Sequence, residues 1–209
     1  MPQPSLPIRA LRALARATGL ETCARAAYHR LQRWRHPPIV WPSETSKCRA
    51  RLAPWCTGYG LDLGFGGDPI VEHAIRMDFP QPYSDVGKQS VQLGGKAEDL
   101  YWFRDNCLDF IYSSHLLEDF ADTRAVLAEW LRVLKPGGRL ILYLPDEQVY
   151  RRHCAATHQP YNTHHQHADF SLEFVKRHLA ALGGTRVLHE NPHVEIYSWE
   201  IVTEKLATT

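Results

Sequence analysis

The sequence predicts an α/β fold with a doubly wound, mainly parallel sheet. From about Tyr59 onward, short apolar segments typical of strands alternate with amphipathic segments typical of helices. Glycine and proline residues follow the helical segments, and both residue types end helices. The chain has 209 residues, of which 44% are apolar, and this is enough to bury a core of ordinary domain size.

The order of the elements defines the sheet. The last two strands adjoin without a helix between them, so we expect an antiparallel hairpin at the sheet edge. The whole arrangement is Rossmann-like. The apolar pattern predicts strands at 59–63, 74–79, 90–93, 108–114, 139–144, 185–190 and 195–205, and helices at 123–134 and 171–182.

Polar side chains stand where the two predicted helices should begin. Asp122 or Thr123 precedes the first helix, and Asp169 and Ser171 precede the second. Such residues accept hydrogen bonds from free N–H groups of a first helical turn. We therefore expect them to cap these helices.

The N-terminal quarter of the chain differs from the rest in charge. Positions 1–52 carry ten Lys or Arg and two acids, net +8, whereas the remainder carries fourteen against twenty-one, net −7. We expect a basic helical extension with a linker at 1–52, and a second domain at 53–209. The extension could contact an anionic membrane surface or a protein partner, or it could pack on the domain with a solvated arginine face. Nucleic acid is disfavoured, since no recognised binding module accompanies the charge.

The cysteine pattern and the hydropathy of the sequence indicate the cellular compartment. The five cysteines are scattered and form no C-x-x-C pair, which argues against a disulfide framework and against a zinc knuckle. No apolar run approaches the length of a membrane span, and no signal peptide is evident. We expect a cytoplasmic protein, with association to the inner face of a membrane as an open option.

One short stretch, GLDLGFGGDPIVEHAIRMD at 60–78, combines the features of a nucleoside-binding turn. Gly64, Gly66 and Gly67 follow the first strand, where a bare backbone lets a ligand approach closely. Asp78 ends the second strand, where a carboxylate can accept both hydroxyls of a ribose. Asp68 would place a negative charge near phosphates. These residues favour an adenosine-containing cofactor without a pyrophosphate over a nicotinamide dinucleotide.

The sequence here resembles the class I S-adenosylmethionine-dependent methyltransferases, in particular the small ones of the ubiquinone- and menaquinone-biosynthesis-like group, type 11. Their Asp-x-Gly-x-Gly-x-Gly signature corresponds to 62–68. Their later blocks correspond to AEDLYWFRDNCLDFIYSSHLLEDF and EWLRVLKPGGRLILYLPDE. The resemblance covers 59 to about 150, with three blocks in the right order.

The resemblance implies S-adenosylmethionine as the cofactor and no metal. It assigns the glycine loop to the methionine part, the acid after the second strand to the ribose, and a segment before the fourth strand to adenine. It also sets two residues after the fourth strand beside the sulfonium methyl group. Carried onto this chain, these residues are Asp62, Gly64, Gly66 and Gly67, then Asp78, then Ala97 and Glu98, and finally Ser114 and His115.

Three positions depart from the family pattern. Asp68 replaces the third glycine, and Lys96 stands before Ala97 where an acid is common. Only the ten residues 68–77 separate Gly67 from Asp78, fewer than a parallel crossover usually needs. The first crossover helix is therefore expected to be shortened or missing.

Histidines concentrate in the segment HCAATHQPYNTHHQHADF. Its later part resembles the His-x-His element of some methyltransferases of bacterial cell-surface saccharide clusters, which implies that His165 or His167 enters the site from a lid-like loop. The cluster of His164, His165 and His167 could instead bind a metal or give the loop its polarity. His115 could be a catalytic residue or a structural one packed under the cofactor.

Together these features predict a methyltransferase acting on a small-molecule or saccharide acceptor, with polysaccharide biosynthesis as its setting. Methyl transfer to a hydroxyl needs positioning of the acceptor and removal of its proton. The catalytic candidates are His165, His167 and His115, acting on oxygen or, second, on nitrogen. Two alternatives stay open: a non-catalytic methyltransferase-like module that serves a partner, and a peripheral membrane or scaffold protein working through the basic N-terminus.

Overall fold

The computed structural model describes residues 42–80 and 89–207, and the chain divides into two units, 1–41 and 42–209. The predicted basic helices of 1–41 lie outside the described residues. The predicted domain boundary fell after position 52, whereas the structure divides the chain after Trp41. The difference arises because the helix at 44–52 packs in the core of the second unit through Cys48 and Leu52.

Four helices and seven strands form the described part of the chain, together with two short 3-10 turns at Ala53–Trp55 and Leu117–Asp119. The helices are α1 Glu44–Leu52, α2 Thr123–Val133, α3 Glu147–Thr157 and α4 Leu172–Leu182. The strands are β1 Gly60–Leu63, β2 Ile75–Asp78, β3 Leu93–Gly94, β4 Leu108–Ser114, β5 Leu134–Pro145, β6 Thr185–Val194 and β7 Ser198–Lys205.

The strands form one sheet in the order β3-β2-β1-β4-β5-β7-β6. Strands β1 to β5 pair in parallel, and β7 runs antiparallel to both β5 and β6. This confirms the predicted mainly parallel sheet with an antiparallel edge hairpin at its C-terminal end. The strand order reverses between β1 and β4, and ligands of such sheets bind outside the carboxyl ends of the strands at that point.

Two apolar layers hold the sheet between helices. On one face, α2 and α4 bury Trp130 and Val175 against strand residues such as Ile111 and Trp199. On the other face, α1 packs on strand aromatics such as Tyr112. Each layer buries side chains that alternate along the strands, which is the pattern expected of a sheet covered on both sides.

Helix starts follow their capping residues. The side chain of Asp122 accepts from the N–H of Ala125 at 2.9 Å, and Ser171 accepts from that of Phe174 at 3.2 Å, which confirms these two predicted caps. Helix α3 begins after Asp146, which accepts from the N–H of Val149 at 3.0 Å. The sequence pattern predicts no element at this segment, because α3 buries little more than Glu147 and Cys154 and lacks an apolar stripe.

The connection from β1 to β2 contains no helix. Residues 64–74, all of them described, form turns that return the chain to the sheet at Ile75. This confirms the expectation that the first crossover helix is shortened or missing. No helix in the described ranges is both long and apolar enough to cross a bilayer.

Candidate functional site

A pocket of about 310 Å³ opens at the carboxyl ends of β1, β2 and β4. Its volume lies in the range of small-molecule sites. Three stretches of the chain form most of its wall: the glycine loop with the end of β2, the segment 95–98, and the 116–120 turn after β4. The lining residues are Gly64, Met77, Asp78, Phe79, Gly95, Ala97, Glu98, Leu116, Asp119, Phe120, His164 and Gln166.

The glycine loop has a backbone that only glycine adopts easily. Gly64, Gly66 and Gly67 have φ angles of +68°, +57° and +85°. A Cβ atom on Gly64 would lie 2.9 Å from Cδ2 of Leu116, closer than carbon atoms can approach. The loop therefore needs glycine both for its conformation and for its close packing under the 116–120 turn.

Asp78 joins the end of β2 to the glycine loop. Its Oδ2 accepts from the N–H of Gly66 at 3.2 Å, and its Oδ1 accepts from that of Phe79 at 2.7 Å. The residue is half-buried and forms part of the pocket wall. It thus presents a carboxylate of fixed orientation to whatever occupies the pocket.

Asp62 shapes the loop from beneath and is not part of the pocket wall. The side chain is fully buried, and Oδ2 accepts from the N–H of Ile70 at 2.6 Å. Oδ1 has no hydrogen-bond partner among the described residues. Burial raises the pKa of Asp62 to about 8, and the hydrogen bond from Ile70 opposes this only in part.

Asp68, which stands at the third glycine of the family signature, turns toward α1. Its carboxylate accepts from the Ser43 hydroxyl and, at 2.6 Å, from Nη2 of Arg49. The negative charge is thereby paired with a cation of the protein.

The 95–98 segment forms the opposite wall. Ala97 and Glu98 both line the pocket, and the carbonyl of Ala97 accepts from Nε1 of Trp130 at 2.7 Å. Helix α2 therefore fixes this wall through an indole that is itself buried. Lys96, the other departure from the family pattern, is exposed.

Two polar residues follow the core of β4. Ser114 is buried, and its Oγ has no hydrogen-bond partner within the described ranges. His115 has a φ of +49°, which is rare for a residue with a side chain and is found where function constrains the backbone. Its Nε2 lies 3.3 Å from Oγ of Ser198 and 3.5 Å from Oε2 of Glu44.

Burial lowers the pKa of His115 to about 4, although the charge of Glu44 opposes this shift. Its Nδ1 lies 3.8 Å from Oε1 of Glu118, whose pKa burial raises well above its ordinary value. His115 is therefore neutral at pH 7, in the form that can accept a proton.

The segment 158–171, called the histidine loop below, closes the pocket from the far side. The N–H of Gln166 donates to the carbonyl of Glu118 at 2.9 Å. Nε2 of His167 donates to the carbonyl of Phe120 at 3.0 Å and lies 3.2 Å from Oγ1 of Thr123. These contacts bring His164 and Gln166 into the pocket wall, a role that sequence reasoning missed for both.

His165 points away from the pocket into a buried acidic environment. Its side chain is 4% exposed, Nδ1 lies 2.5 Å from Oε2 of Glu147, and Nε2 lies 3.8 Å from Oε1 of Glu118. The ring also packs on Tyr150. The structure thus brings His115 and His165 to the same carboxylate oxygen of Glu118, each at 3.8 Å, and it sets His167 against the 116–120 turn.

The histidines do not converge on a metal site in the described part of the chain. Within residues 42–80 and 89–207, no group of three or more His, Cys, Asp or Glu side chains is arranged to hold a metal ion.

Comparisons with known proteins agree with this geometry. Residues 61–142 match a family model described as a methyltransferase domain. Demethylmenaquinone methyltransferases of Bacillus cereus (strain B4264) and Bacillus anthracis (strain A0248) are 36% identical over 76 residues, which is 32% of this chain and 32% of each relative. The chain thus aligns with about a third of the length of these curated relatives.

Solved structures share the fold. A SAM-dependent methyltransferase from Archaeoglobus fulgidus superimposes with a TM-score of 0.59 at 16% identity, covering 77% of this chain and 92% of that one. A Thermotoga maritima protein, described as a SAM-dependent methyltransferase and possible histamine N-methyltransferase, gives 0.56 at 19% identity, covering 79% and 88%. At such identities the likeness shows the fold alone.

The family match over residues 61–142 and the shared fold make the described unit similar to SAM-dependent methyltransferase domains. They imply S-adenosylmethionine as its cofactor, and the residues that line the pocket fit such a group. The glycine loop leaves room for close approach of a ligand, and Asp78 offers a carboxylate at the pocket wall.

Proposed function

We propose that this protein is an enzyme that transfers a methyl group from S-adenosylmethionine to an oxygen of a small-molecule or saccharide acceptor. The observation that carries the proposal is the pocket between the glycine loop and Asp78, on a domain matched by a methyltransferase family model. A carboxylate there suits the two hydroxyls of a ribose, and the strand order favours binding at this place.

Different residues at the pocket are assigned to different parts of the cofactor. We assign the glycine loop, with Gly64, Gly66 and Gly67, to the methionine part, because its bare backbone admits a close ligand. Asp78 accepts from the ribose, and the wall at Ala97 and Glu98 receives the adenine. Asp62 acts indirectly, since it is buried beneath the loop and holds it through Ile70.

The cofactor supplies a methyl group already activated by its sulfonium charge. The protein then has to orient the acceptor, exclude water and take up a proton from the acceptor hydroxyl. Ser114 suits a position beside the transferred methyl group. It is buried at the end of β4, and no described residue hydrogen-bonds to its Oγ.

For the proton acceptor we favour His115 over the other two candidates. Its imidazole is 17% exposed at the end of β4, which is more than the 4% of His165. His165 is only 4% exposed and its Nδ1 lies 2.5 Å from Oε2 of Glu147, and His167 bonds to the 116–120 turn. We assign these two residues to holding the histidine loop in place.

An aromatic cluster beside His115 supports a saccharide acceptor. The ring centroid of Tyr197 lies 6.1 Å from that of His115, 5.0 Å from that of Tyr150 and 5.5 Å from that of His153. A tyrosine ring combines an apolar face with a hydroxyl that hydrogen-bonds, and this combination suits a sugar ring with its C–H groups and hydroxyls. Polysaccharide biosynthesis is the setting in which such acceptors occur.

An acceptor screen tests the proposal. The protein is incubated with S-adenosylmethionine carrying a deuterated methyl group and with a panel of sugars, sugar nucleotides and small phenols, and products are read by mass spectrometry. We expect one labelled methyl group on a hydroxyl of a sugar-containing acceptor. Transfer only to amines, or none to any panel member although the cofactor binds, would contradict the O-methylation proposal.

The N-terminal basic segment remains a predicted contact for a protein partner or an anionic membrane surface. Its net charge of +8 over positions 1–52 is the only observation behind it. Sedimentation with vesicles containing phosphatidylserine, compared between the full chain and a chain lacking positions 1–40, tests the membrane option. Binding that is independent of the deletion would contradict it.

A further inference from the structure

We propose that Ser43 and Arg49 of α1 are positioning residues for cofactor binding, which act by holding Asp68 of the glycine loop. Neither residue is among those that line the pocket. The inference rests on the proposed function only for the identity of the cofactor.

The glycine loop needs support from outside its own strand-to-strand connection. In a usual parallel crossover a helix follows the first strand and fixes the far end of the loop. Here residues 64–74 contain turns and no helix. Three glycines with positive φ make the loop costly to order, so its conformation depends on contacts made by neighbouring residues.

Asp68 provides those contacts through both of its carboxylate oxygens. Oδ2 accepts from the hydroxyl of Ser43, and Oδ1 accepts from Nη2 of Arg49 at 2.6 Å. The same Nη2 donates to the carbonyl of Pro69 at 3.1 Å. Ser43 and Arg49 therefore hydrogen-bond to two consecutive residues of the loop.

Helix α1, which carries these contacts, is fixed in the domain by its N-cap and by buried side chains. Ser43 is its N-cap and accepts from the N–H of Ser46 at 3.0 Å. Cys48 and Leu52 are fully buried, and Sγ of Cys48 lies 3.1 Å from the hydroxyl of Tyr112 on β4. The loop is thus tied to the sheet through α1, in the place of the missing crossover helix.

The expected effect is on affinity rather than on global stability. The side chains of Arg49 and Asp68 are 37% and 30% exposed, and ion pairs at that exposure contribute little to the free energy of unfolding. A loop that must be ordered on binding, however, weakens affinity by the cost of ordering it.

The test is calorimetric titration with S-adenosylmethionine of the full chain and four variants. We expect Asp68→Asn and Arg49→Met each to raise Kd about tenfold. The double variant should bind more tightly than the sum of the two single losses predicts, because both changes remove the same Arg49–Asp68 ion pair. Arg49→Lys, which keeps the charge, should recover part of the loss.

A matched control and a second readout separate positioning from general damage. Arg186→Met breaks an ion pair with Glu204 of 2.8 Å on the β6–β7 hairpin and should leave Kd unchanged. Hydrogen exchange of the amides at 64–70 should quicken in Asp68→Asn and not in Arg186→Met, with similar unfolding midpoints for both variants.

The outcomes distinguish this inference from the proposed function. If the parent chain binds S-adenosylmethionine and Asp68→Asn binds equally well, the positioning role is overturned and the enzyme proposal stands. If the parent chain does not bind it, the proposed function fails. In that case the exchange rates decide the inference, since unchanged exchange at 64–70 in Asp68→Asn would overturn it as well.

Discussion

The carboxylate of Asp78 accepts a hydrogen bond from the backbone N–H of Gly66, with 3.2 Å between Oδ2 and the nitrogen. The contact links the end of β2 to the turn that follows β1. Because Asp78 also lines the pocket, the same side chain orders the loop and forms part of the pocket surface.

Replacing Asp78 by Ala should raise the Kd for S-adenosylmethionine at least tenfold. The change removes a charged acceptor of two hydroxyl hydrogen bonds, each worth about 1.5–3 kcal/mol. Isothermal calorimetry measures the effect. Asp105→Asn, at an exposed ion pair with Arg132, is the control and should bind as the parent does. Equal affinity for Asp78→Ala and parent would remove Asp78 from the binding site.

Replacing Gly64 by Ala should destabilise the domain and impair cofactor binding together. The φ of +68° disfavours any side chain, and the new Cβ would meet Cδ2 of Leu116 at 2.9 Å. We expect a loss of about 1–3 kcal/mol in the free energy of unfolding, measured by urea titration. In a Leu116→Ala background the clash is absent and only the backbone cost remains, so Gly64→Ala should lose less stability there than in the parent chain. Equal losses in the two backgrounds would contradict the packing of Gly64 against Leu116.

The contribution of Asp62 to the free energy of unfolding should fall as the pH rises from about 4 to about 8, because the folded protein keeps the Asp62 proton over this range and the unfolded chain releases it. Burial raises its pKa in the folded state to about 8, so the folded protein holds this proton more tightly than the unfolded chain. The resulting stability is full below the ordinary value of 3.8 and is lost as the pH rises through about 8.

Asp62→Asn tests this dependence, because an amide oxygen can still accept from Ile70 but cannot ionise. Urea unfolding of both proteins at several pH values between 5 and 9 gives the two slopes. The variant should show the flatter dependence, and parallel slopes would contradict the assignment.

His115 should remain neutral down to about pH 4, since burial lowers its pKa to about that value. The groups facing it are Glu44 and Lys47 from α1, Glu118 from the turn after β4, and His165 from the histidine loop. The folded state disfavours the protonated imidazole, so the contribution of His115 to stability should decline as the pH falls from about 6.5 toward 4, opposite in sign to the contribution of Asp62.

Nuclear magnetic resonance of the histidine ring carbons measures this titration directly, with His115→Gln identifying the signal. The same variant should lessen the acid-side decline in the free energy of unfolding. A midpoint near 6.5 for His115 would contradict this prediction. It would mean that the imidazole is solvated like a surface histidine although its side chain is only 17% exposed.

Replacing Glu147 by Ala should cost about 1–3 kcal/mol in the free energy of unfolding, since it leaves Nδ1 of the buried His165 without its hydrogen-bond partner. Its two oxygens lie 2.5 Å from Nδ1 of His165 and 2.5 Å from Nε of Arg151. Arg151→Met is the matched comparison, because Arg151 is 44% exposed and should cost little. Equal small losses for the two variants would mean that the buried contact to His165 contributes no stability.

The elements with local signals were predictable from the sequence. Strand β4 was predicted at 108–114 and runs from Leu108 to Ser114, and α2 was predicted to end one residue later than it does. Strand β5 was predicted from 139 and begins at Leu134, because Leu134 pairs with Leu108 across the sheet. Apolar runs and capping residues specify such elements over a few neighbouring positions.

The elements that depend on distant contacts were not predictable. Helix α1 is mostly polar, and its stability comes from Cys48 and Leu52 packing on the sheet. Gln166 reaches the pocket only because its N–H bonds to the carbonyl of Glu118, 48 positions away along the chain. The partner of Asp68 was hidden for the same reason, since nothing near it in sequence identifies Arg49.

The most direct test of the account is calorimetric titration of the full chain with S-adenosylmethionine and with its demethylated product, using NAD as the control. The account predicts one site with micromolar affinity for the first two ligands and no binding of NAD. Absence of binding by both adenosine ligands, or equal binding of NAD, would contradict the claim that the pocket between the glycine loop and Asp78 is a methyltransferase cofactor site.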